Sequence, residues 1–166
     1  MRFFIGTAAC VVLTAALAGG ASKAHLVALG KWTAVKLLIG DDESTPGKVT
    51  PVELKIRPLL VDGRTKEFTT GAAHDVTDRL FVVERAYRLN DLLPNDSGPA
   101  RWQWQRGGWM LVDRISGKVQ GIALPAFDAY GSEMSWFRDY AAYCGMSDDG
   151  SKVFALVTSS AGASHC

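Results

Sequence analysis

Past residue 24, apolar and polar residues alternate with a period of two, and helical spacing is scarce. Thr33, Val35, Leu37 and Ile39 interleave with Trp32, Ala34, Lys36 and Leu38, which predicts a first strand. Asp41-Asp42-Glu43-Ser44-Thr45-Pro46-Gly47 reads as an exposed turn. Val52-Glu53-Leu54-Lys55-Ile56-Arg57 alternates strictly, apolar inward and charged outward. Pro58 removes a ladder donor and predicts a bend or an edge there. Leu59-Leu60-Val61 continues the strand, Asp62-Gly63 is a hairpin signal, and Phe68-Thr69-Thr70 begins the return. Arg79 to Leu89 is the strongest strand.

Asn90 to Ala100 carries Pro94, Gly98 and Pro99 and reads as a loop. Trp102 and Trp104 alternate with Arg101, Gln103 and Gln105. Trp109–Asp113 and Lys118–Leu124 flank a turn at Ile115-Ser116-Gly117. Tyr140–Gly145 and Lys152–Thr158 flank a second at Ser147-Asp148-Asp149-Gly150. Ala126–Ser135 is irregular, with a short helix expected near Ser132–Phe137. The fold class is therefore all-β: an antiparallel meander of hairpins, propeller-blade-like or sandwich-like, preceded by a signal-peptide helix.

The amino terminus breaks this pattern. Met1-Arg2 is a minimal positive region, and Phe3–Ala18 is an apolar run broken by Gly6, Thr7 and Thr14. Ala16-Leu17-Ala18 and Ser22-Lys23-Ala24 are small-residue cleavage sites. This is the layout of a secretory signal peptide, residues 1–24 with cleavage between 18 and 24, and it implies a periplasmic or secreted product. The run is short for a membrane span, which needs about 20 residues, so no stable membrane insertion is expected after cleavage. Thr7-Ala8-Ala9 before Cys10 is a poor lipobox. Residues 25–158 form one β domain and 159–166 a small, polar tail.

Charge changes the picture further. The chain holds 18 basic and 17 acidic residues; without Arg2 and Lys23 the balance is 16 against 17. A neutral body lacks the clustered positive charge that nucleic acid requires. Cleavage would also remove Cys10 and leave Cys144 and Cys166, which are available to pair in an oxidising compartment. The alternative is a buried thiol at Cys144 and a frayed terminus at Cys166.

An internal repeat is visible. Leu59-Leu60-Val61-Asp62-Gly63-Arg64-Thr65-Lys66 aligns with Met110-Leu111-Val112-Asp113-Arg114-Ile115-Ser116-Gly117-Lys118, each a strand ending in Asp, a turn and a Lys. The two units span about 52–89 and 102–158. With Ser147-Asp148-Asp149-Gly150-Ser151-Lys152-Val153-Phe154-Ala155, the stretch Trp109–Thr158 resembles a β-propeller blade. A closed propeller needs at least four blades, and the chain has room for fewer than three. Val76–Val83, Arg101–Trp109 and Arg138–Gly145 resemble segments of an uncharacterised family of secreted bacterial proteins, which implies export and no transferable activity.

Familiar catalytic spacings are absent: no G-x-S-x-G, H-E-x-x-H, C-x-x-C, phosphate loop or G-x-G-x-x-G. Histidines occur only at 25, 74 and 165, too scattered for a three-histidine zinc site, and no cofactor is expected. His74-Asp75 with Asp78-Arg79 is the one compact histidine cluster. It reads as a base oriented by a carboxylate, with Ser132 or Ser135 as a distant nucleophile, or more simply as a loop in which Asp75 and Asp78 cap backbone donors. Asp41-Asp42-Glu43 and Asp148-Asp149-Gly150 carry the oxygen ligands a divalent cation would need but lack its spacing, and read as solvated turns.

The aromatic density stands out. Trp102, Trp104, Trp109, Trp136, Tyr140 and Tyr143 fall close together, with Arg106 among them. Exposed indoles beside hydrogen-bonding groups suit a sugar ring or a protein surface; indoles in a small β domain also fill cores. The leading expectation is an exported, non-catalytic binding or assembly module for a protein or carbohydrate, its surface formed by Trp102, Trp104, Arg106, Trp109 and Trp136. The alternatives are an exported hydrolase at His74 and Asp75, and a structural protein that pairs an exposed edge strand.

Overall fold

The computed structural model describes residues 23–38, 51–90, 92, 95, 97–147 and 149–160. Ten strands and no helix occur among them. They are β1 (Val27–Leu29), β2 (Thr33–Leu38), β3 (Pro51–Val61), β4 (Arg64–Asp75), β5 (Leu80–Asn90), β6 (Trp102–Asp113), β7 (Val119–Gly121), β8 (Met134–Phe137), β9 (Tyr140–Met146) and β10 (Val153–Ser159). The all-β class expected from the alternation is what the chain adopts. Residues 1–22 of the expected signal segment, Asp41-Asp42-Glu43, Asp148 and Cys166 lie outside the described residues.

Seven strands form one sheet and three form another. In the larger sheet β3, β4, β5 and β6 are joined by successive antiparallel pairings. β2 pairs antiparallel with the first half of β3 and meets β6 in parallel at Leu37 and Trp104. The pairings β2–β3–β4–β5–β6–β2 thus return on themselves, and this ring leaves fewer unpaired strand edges. β1 continues along β3 beyond β2, and β7 lies along the far end of β6. The smaller sheet has the order β10-β9-β8.

The turns follow from local chemistry. Asp62 and Gly63 both have positive φ, 52° and 75°, the pair of left-handed positions a two-residue hairpin requires. The Asp62 carboxylate also accepts from Leu26 N at 3.0 Å and lies 2.7 Å from His25 Nδ1, which ties the start of β1 to this turn. Asp113 accepts from Ile115 N at 2.8 Å and Ser116 N at 3.2 Å and so closes the turn between β6 and β7. Gly107 and Gly108 sit opposite Arg85, where the β5–β6 register shifts. A Cβ on Gly107 would come within 3.3 Å of the Arg85 Cβ and the Tyr87 ring, so a side chain there would have to push these neighbours back by a small distance.

Two apolar clusters stabilise the large sheet. One holds Leu37, Leu54, Ile56 and Ala86, with Val35, Phe68 and Trp104 against it. The other holds Leu59, Phe81, Val83, Met110 and Val112, with Val27, Leu29, Ala73 and Val119. On β3 the buried positions are 54 and 56, then 59 and 61. The ladder with β4 stays in register from Ile56 to Leu59, so the two sets lie on opposite faces of β3 and a single strand serves both clusters.

Two expectations are corrected. Ser132–Phe137 is not helical: β8 begins at Met134, and Met134 and Trp136 face inward while Ser135 and Phe137 are exposed. The return strand begins at Arg64, directly after the turn, rather than at Phe68. β1 was not anticipated; three residues are too short to show a period. The stretch 102–158 is divided between sheets, because β6 and β7 pair within the larger one and β8–β10 pair only with one another.

Candidate functional site

The indoles fall into two groups that period-two spacing alone does not distinguish. Trp102 and Trp104 share one face at the start of β6, but the strand runs inward from 102. Trp104 is half-buried in the Leu37/Leu54 cluster, its ring edge-on to Phe68 with centroids 5.1 Å apart. Trp102, at the strand end, is 60% exposed. Opposite them on β5, Arg88 pairs with Trp104 and Asn90 with Trp102. The Arg88 guanidinium carbon lies 5.4 Å from the Trp104 ring centroid and 5.9 Å from that of Trp102. These distances are within cation–π range. Asn90 Oδ1 accepts from Arg101 N at 3.0 Å and Leu92 N at 3.3 Å, which fixes the entry of the chain into β6.

The result is a ledge with one indole open to solvent at the strand end and a second, half-buried indole two residues along the same face. An arginine reaches across both, and Asn90 lies opposite Trp102 on the neighbouring strand, while Gln103 between the indoles turns to the other face. Aromatic faces with hydrogen-bonding groups at their rim match the alternating apolar and polar surfaces of a sugar ring. Arg88 was missed in the sequence. Only the cross-strand register brings it to Trp102, and nothing in the local alternation of β5 marks it.

Trp109 and Trp136 make a different structure. Their ring centroids are 5.4 Å apart with a 56° tilt, and both are half-buried. His74 stacks on the other contact of Trp136 at 6.1 Å, and His74 Nε2 lies 2.9 Å from Arg138 O. This aromatic stack joins β4 and β6 to the β8–β9 hairpin. Arg106, exposed on β6, lies close enough to Glu84 to favour its charged form. Burial pushes the Glu84 carboxyl above its usual range, and Arg106 opposes that shift. The five residues expected to share one surface are therefore split, with Trp102 and Trp104 at the ledge, Trp109 and Trp136 between the sheets, and Arg106 exposed on β6 near Glu84.

The His74/Asp75 cluster is also dispersed. His74 is held by Trp136 and Arg138, whereas Asp75 Oδ1 accepts from Arg114 Nη2 at 2.5 Å. Ser132 Oγ accepts from Asp128 N at 3.1 Å, and Ser135 is exposed on β8. The expected capping by Asp75 and Asp78 is corrected: Thr77 Oγ1 receives Leu80 N at 2.9 Å and Arg79 N at 3.2 Å. Cys144 is a free, exposed thiol on β9, not a buried one. Among the described residues, no group of three or more His, Cys, Asp or Glu side chains is placed to hold a metal ion.

A further arginine–indole pair lies elsewhere on the large sheet. The Arg57 guanidinium carbon sits 4.2 Å above the Trp32 ring, and burial lowers the Arg57 pKa. Its Nε is buried without a hydrogen-bond partner. No protein-family model, curated protein or solved structure matches this chain.

Proposed function

We propose that this chain is an exported, non-catalytic binding module that takes a carbohydrate against the Trp102 ledge. Export rests on the leader read in the sequence. The proposed frame is an antiparallel meander of hairpins closed into a ring, not a propeller blade, with the ledge at one rim. The observation that carries the reading is the exposure of Trp102 beside Arg88, with Trp104 on the same face fixed by Phe68. A large indole left open at a strand end, flanked by a rigid second indole, is preorganised and loses little conformational entropy on binding.

The test is a titration of the purified chain with a panel of soluble oligosaccharides, followed by intrinsic indole fluorescence and calorimetry. A ligand should quench or shift the emission, and Trp102→Ala should weaken it at least tenfold with unchanged circular dichroism. Arg88→Ala should weaken it less. Failure of the whole panel, or a ligand whose affinity ignores Trp102→Ala, removes this reading.

A further inference from the structure

The β8–β10 sheet presents two unlike faces. Ala141, Tyr143 and Gly145 of β9 are buried, and Trp136 of β8 and Leu156 of β10 are half-buried beside them. Tyr143 donates its hydroxyl to Pro125 O at 2.8 Å and packs against Phe127, and Met146 N donates to Ala126 O at 3.0 Å. That face is covered by the 122–133 segment and the large sheet.

The opposite face follows from the register. Ser135 and Phe137 of β8 align with Ala142 and Tyr140 of β9. Tyr140, Ala142, Cys144 and Met146 align with Ser159, Val157, Ala155 and Val153 of β10. None of these ten residues is charged. Phe137, Val153 and Val157 are 71%, 71% and 72% exposed, and Tyr140 and Met146 about half. Taking large side chains at roughly 150–250 Å² when open, the face leaves on the order of 600 Å² of apolar surface per copy. That is the top of the ~300–600 Å² range for the largest patch on a soluble monomer.

We propose that this face is covered by the same face of a second copy of the chain, the two sheets packing face to face about a two-fold axis. Three observations select that occupant. First, two such faces bury about 1,200 Å² together, where stable interfaces begin. Second, the ten residues of the face carry no charge, and Arg138, whose guanidinium carbon lies 5.6 Å from the Phe137 ring centroid, sits at its rim, so a two-fold axis sets apolar residues on apolar residues and leaves that charge at the edge. Third, each rim carries both signs: Arg138 and Asp139 at the β8–β9 turn, Asp149 and Lys152 at the β9–β10 turn. With the axis perpendicular to the strands, each copy's Arg138 rim meets the other's Asp149 rim, and neither juxtaposition is like-charged only. The proposal is independent of the Trp102 ledge, which lies on the other sheet.

Sedimentation velocity on the purified full chain over two decades of concentration tests it. A reversible monomer–dimer equilibrium is expected. Val157→Lys and Phe137→Glu should each weaken it at least tenfold while circular dichroism stays unchanged, because both side chains point to solvent in the single copy. Cys144 supplies a second readout that needs no change on the face. In a Cys10→Ser, Cys166→Ser background its alkylation should slow as concentration rises. A chain that stays monomeric throughout overturns the proposal, including one that stays monomeric while binding lipid vesicles or another protein. So does a dimer indifferent to both substitutions, or a Cys144 alkylation rate independent of concentration.

Discussion

The two sheets of this molecule solve the same problem in opposite ways. Strands of the larger sheet alternate apolar residues with charges: Glu53, Lys55 and Arg57 on β3, Lys66 and Glu67 on β4, Arg85 and Arg88 on β5. Some of these pair across strands, as Arg85 Nε does with Glu67 Oε2 at 3.0 Å. Such a face is finished when it meets water. β8, β9 and β10 contain no charged residue at all. They have one face against the rest of the chain and one face left open apart from Arg138 at its Phe137 edge. Alternation alone says that a strand has two sides; the chemistry of the outward side says whether solvent was meant to be its partner.

The comparison breaks most strongly in the core of the large sheet. Leu59 is fully buried at the point where β3 pairs with both β1 and β4. Leu59→Ala should cost about 2–5 kcal/mol, since a truncated core leucine leaves a cavity as well as losing transfer energy. Urea unfolding reads it directly. The corresponding truncation on the open sheet face, Val157→Ala, should stay within about 0.5 kcal/mol for the single copy, as surface changes do. If the two costs were similar, the distinction between a buried and an open face would be wrong.

The next test separates the sheets from each other. Trp136 joins them through His74 and Trp109, and its indole N–H is buried without a partner. Trp136→Ala removes a large aromatic contact area, and a loss of roughly 2–3 kcal/mol is expected, below the full-burial range because the side chain is half-buried. The signature matters more than the size. Hydrogen exchange at β9 amides should rise more than at β5 amides, because the smaller sheet loses its anchor. Equal increases would mean that the two sheets open as one unit.

Much of this organisation was legible in the sequence, and what was not has a common physical cause. Asp62-Gly63, Ile115-Ser116-Gly117 and the turn ending at Gly150 were readable because turns are set by residues next to one another. Strict alternation in Val52–Arg57 and the apolar run in Leu80–Leu89 marked β3 and β5 for the same reason. The return of β2 onto β6 through Leu37 and Trp104 was not readable, since that pairing joins distant segments and leaves no local trace. Period-two spacing placed Trp102 and Trp104 on one face, yet gave no depth along the strand. One indole is therefore exposed and the other enters a core. Trp109 and Trp136 were grouped with them because closeness in sequence was the only available measure. The absence of charge across Tyr140–Met146 and Val153–Ser159 was visible from the start, but its meaning depends on a register that shows which residues share a face.

The hairpin turns extend the comparison to pH. Asp113 in the large sheet forms an ion pair with Arg79, with Arg79 Nε 2.9 Å from Asp113 Oδ1, and accepts two backbone donors. Arg79, the largest cause, holds the Asp113 carboxyl well below the usual range. Asp149 in the small sheet is held at about 2, first by Ser147 Oγ and then by Ser151. Both shifts are downward, so each contributes stability that is present above the unfolded carboxylate value near 3.9 and is lost as pH falls through the lower folded value. Asp113→Asn should lower the Tm at pH 7 clearly, with most of the difference gone by about pH 2. Asp149→Asn should follow the same course with a smaller amplitude, because its partners are neutral hydroxyls and an amide in full solvent. A larger effect at Asp149 than at Asp113 would reverse the ranking of the two turns.

The smallest expected effect has the opposite sign. Glu84 sits across from Trp109 on β5, and its carboxyl is raised, first by burial, with Arg106 pulling it back. A raised acid favours the folded state in its neutral form. That contribution is complete below the unfolded value near 4.3 and is lost as pH rises through the folded one. At pH 7 the charged carboxylate is therefore a burden on the sheet. Glu84→Gln keeps the shape, removes the charge and should raise the Tm slightly at pH 7 while leaving it unchanged near pH 4. If the substitution lowers the Tm at pH 7, the attraction to Arg106 outweighs the burial of the carboxylate. Charge would then stabilise this covered part of the large sheet as well, and the uncharged β8–β10 sheet would differ from every region of its neighbour.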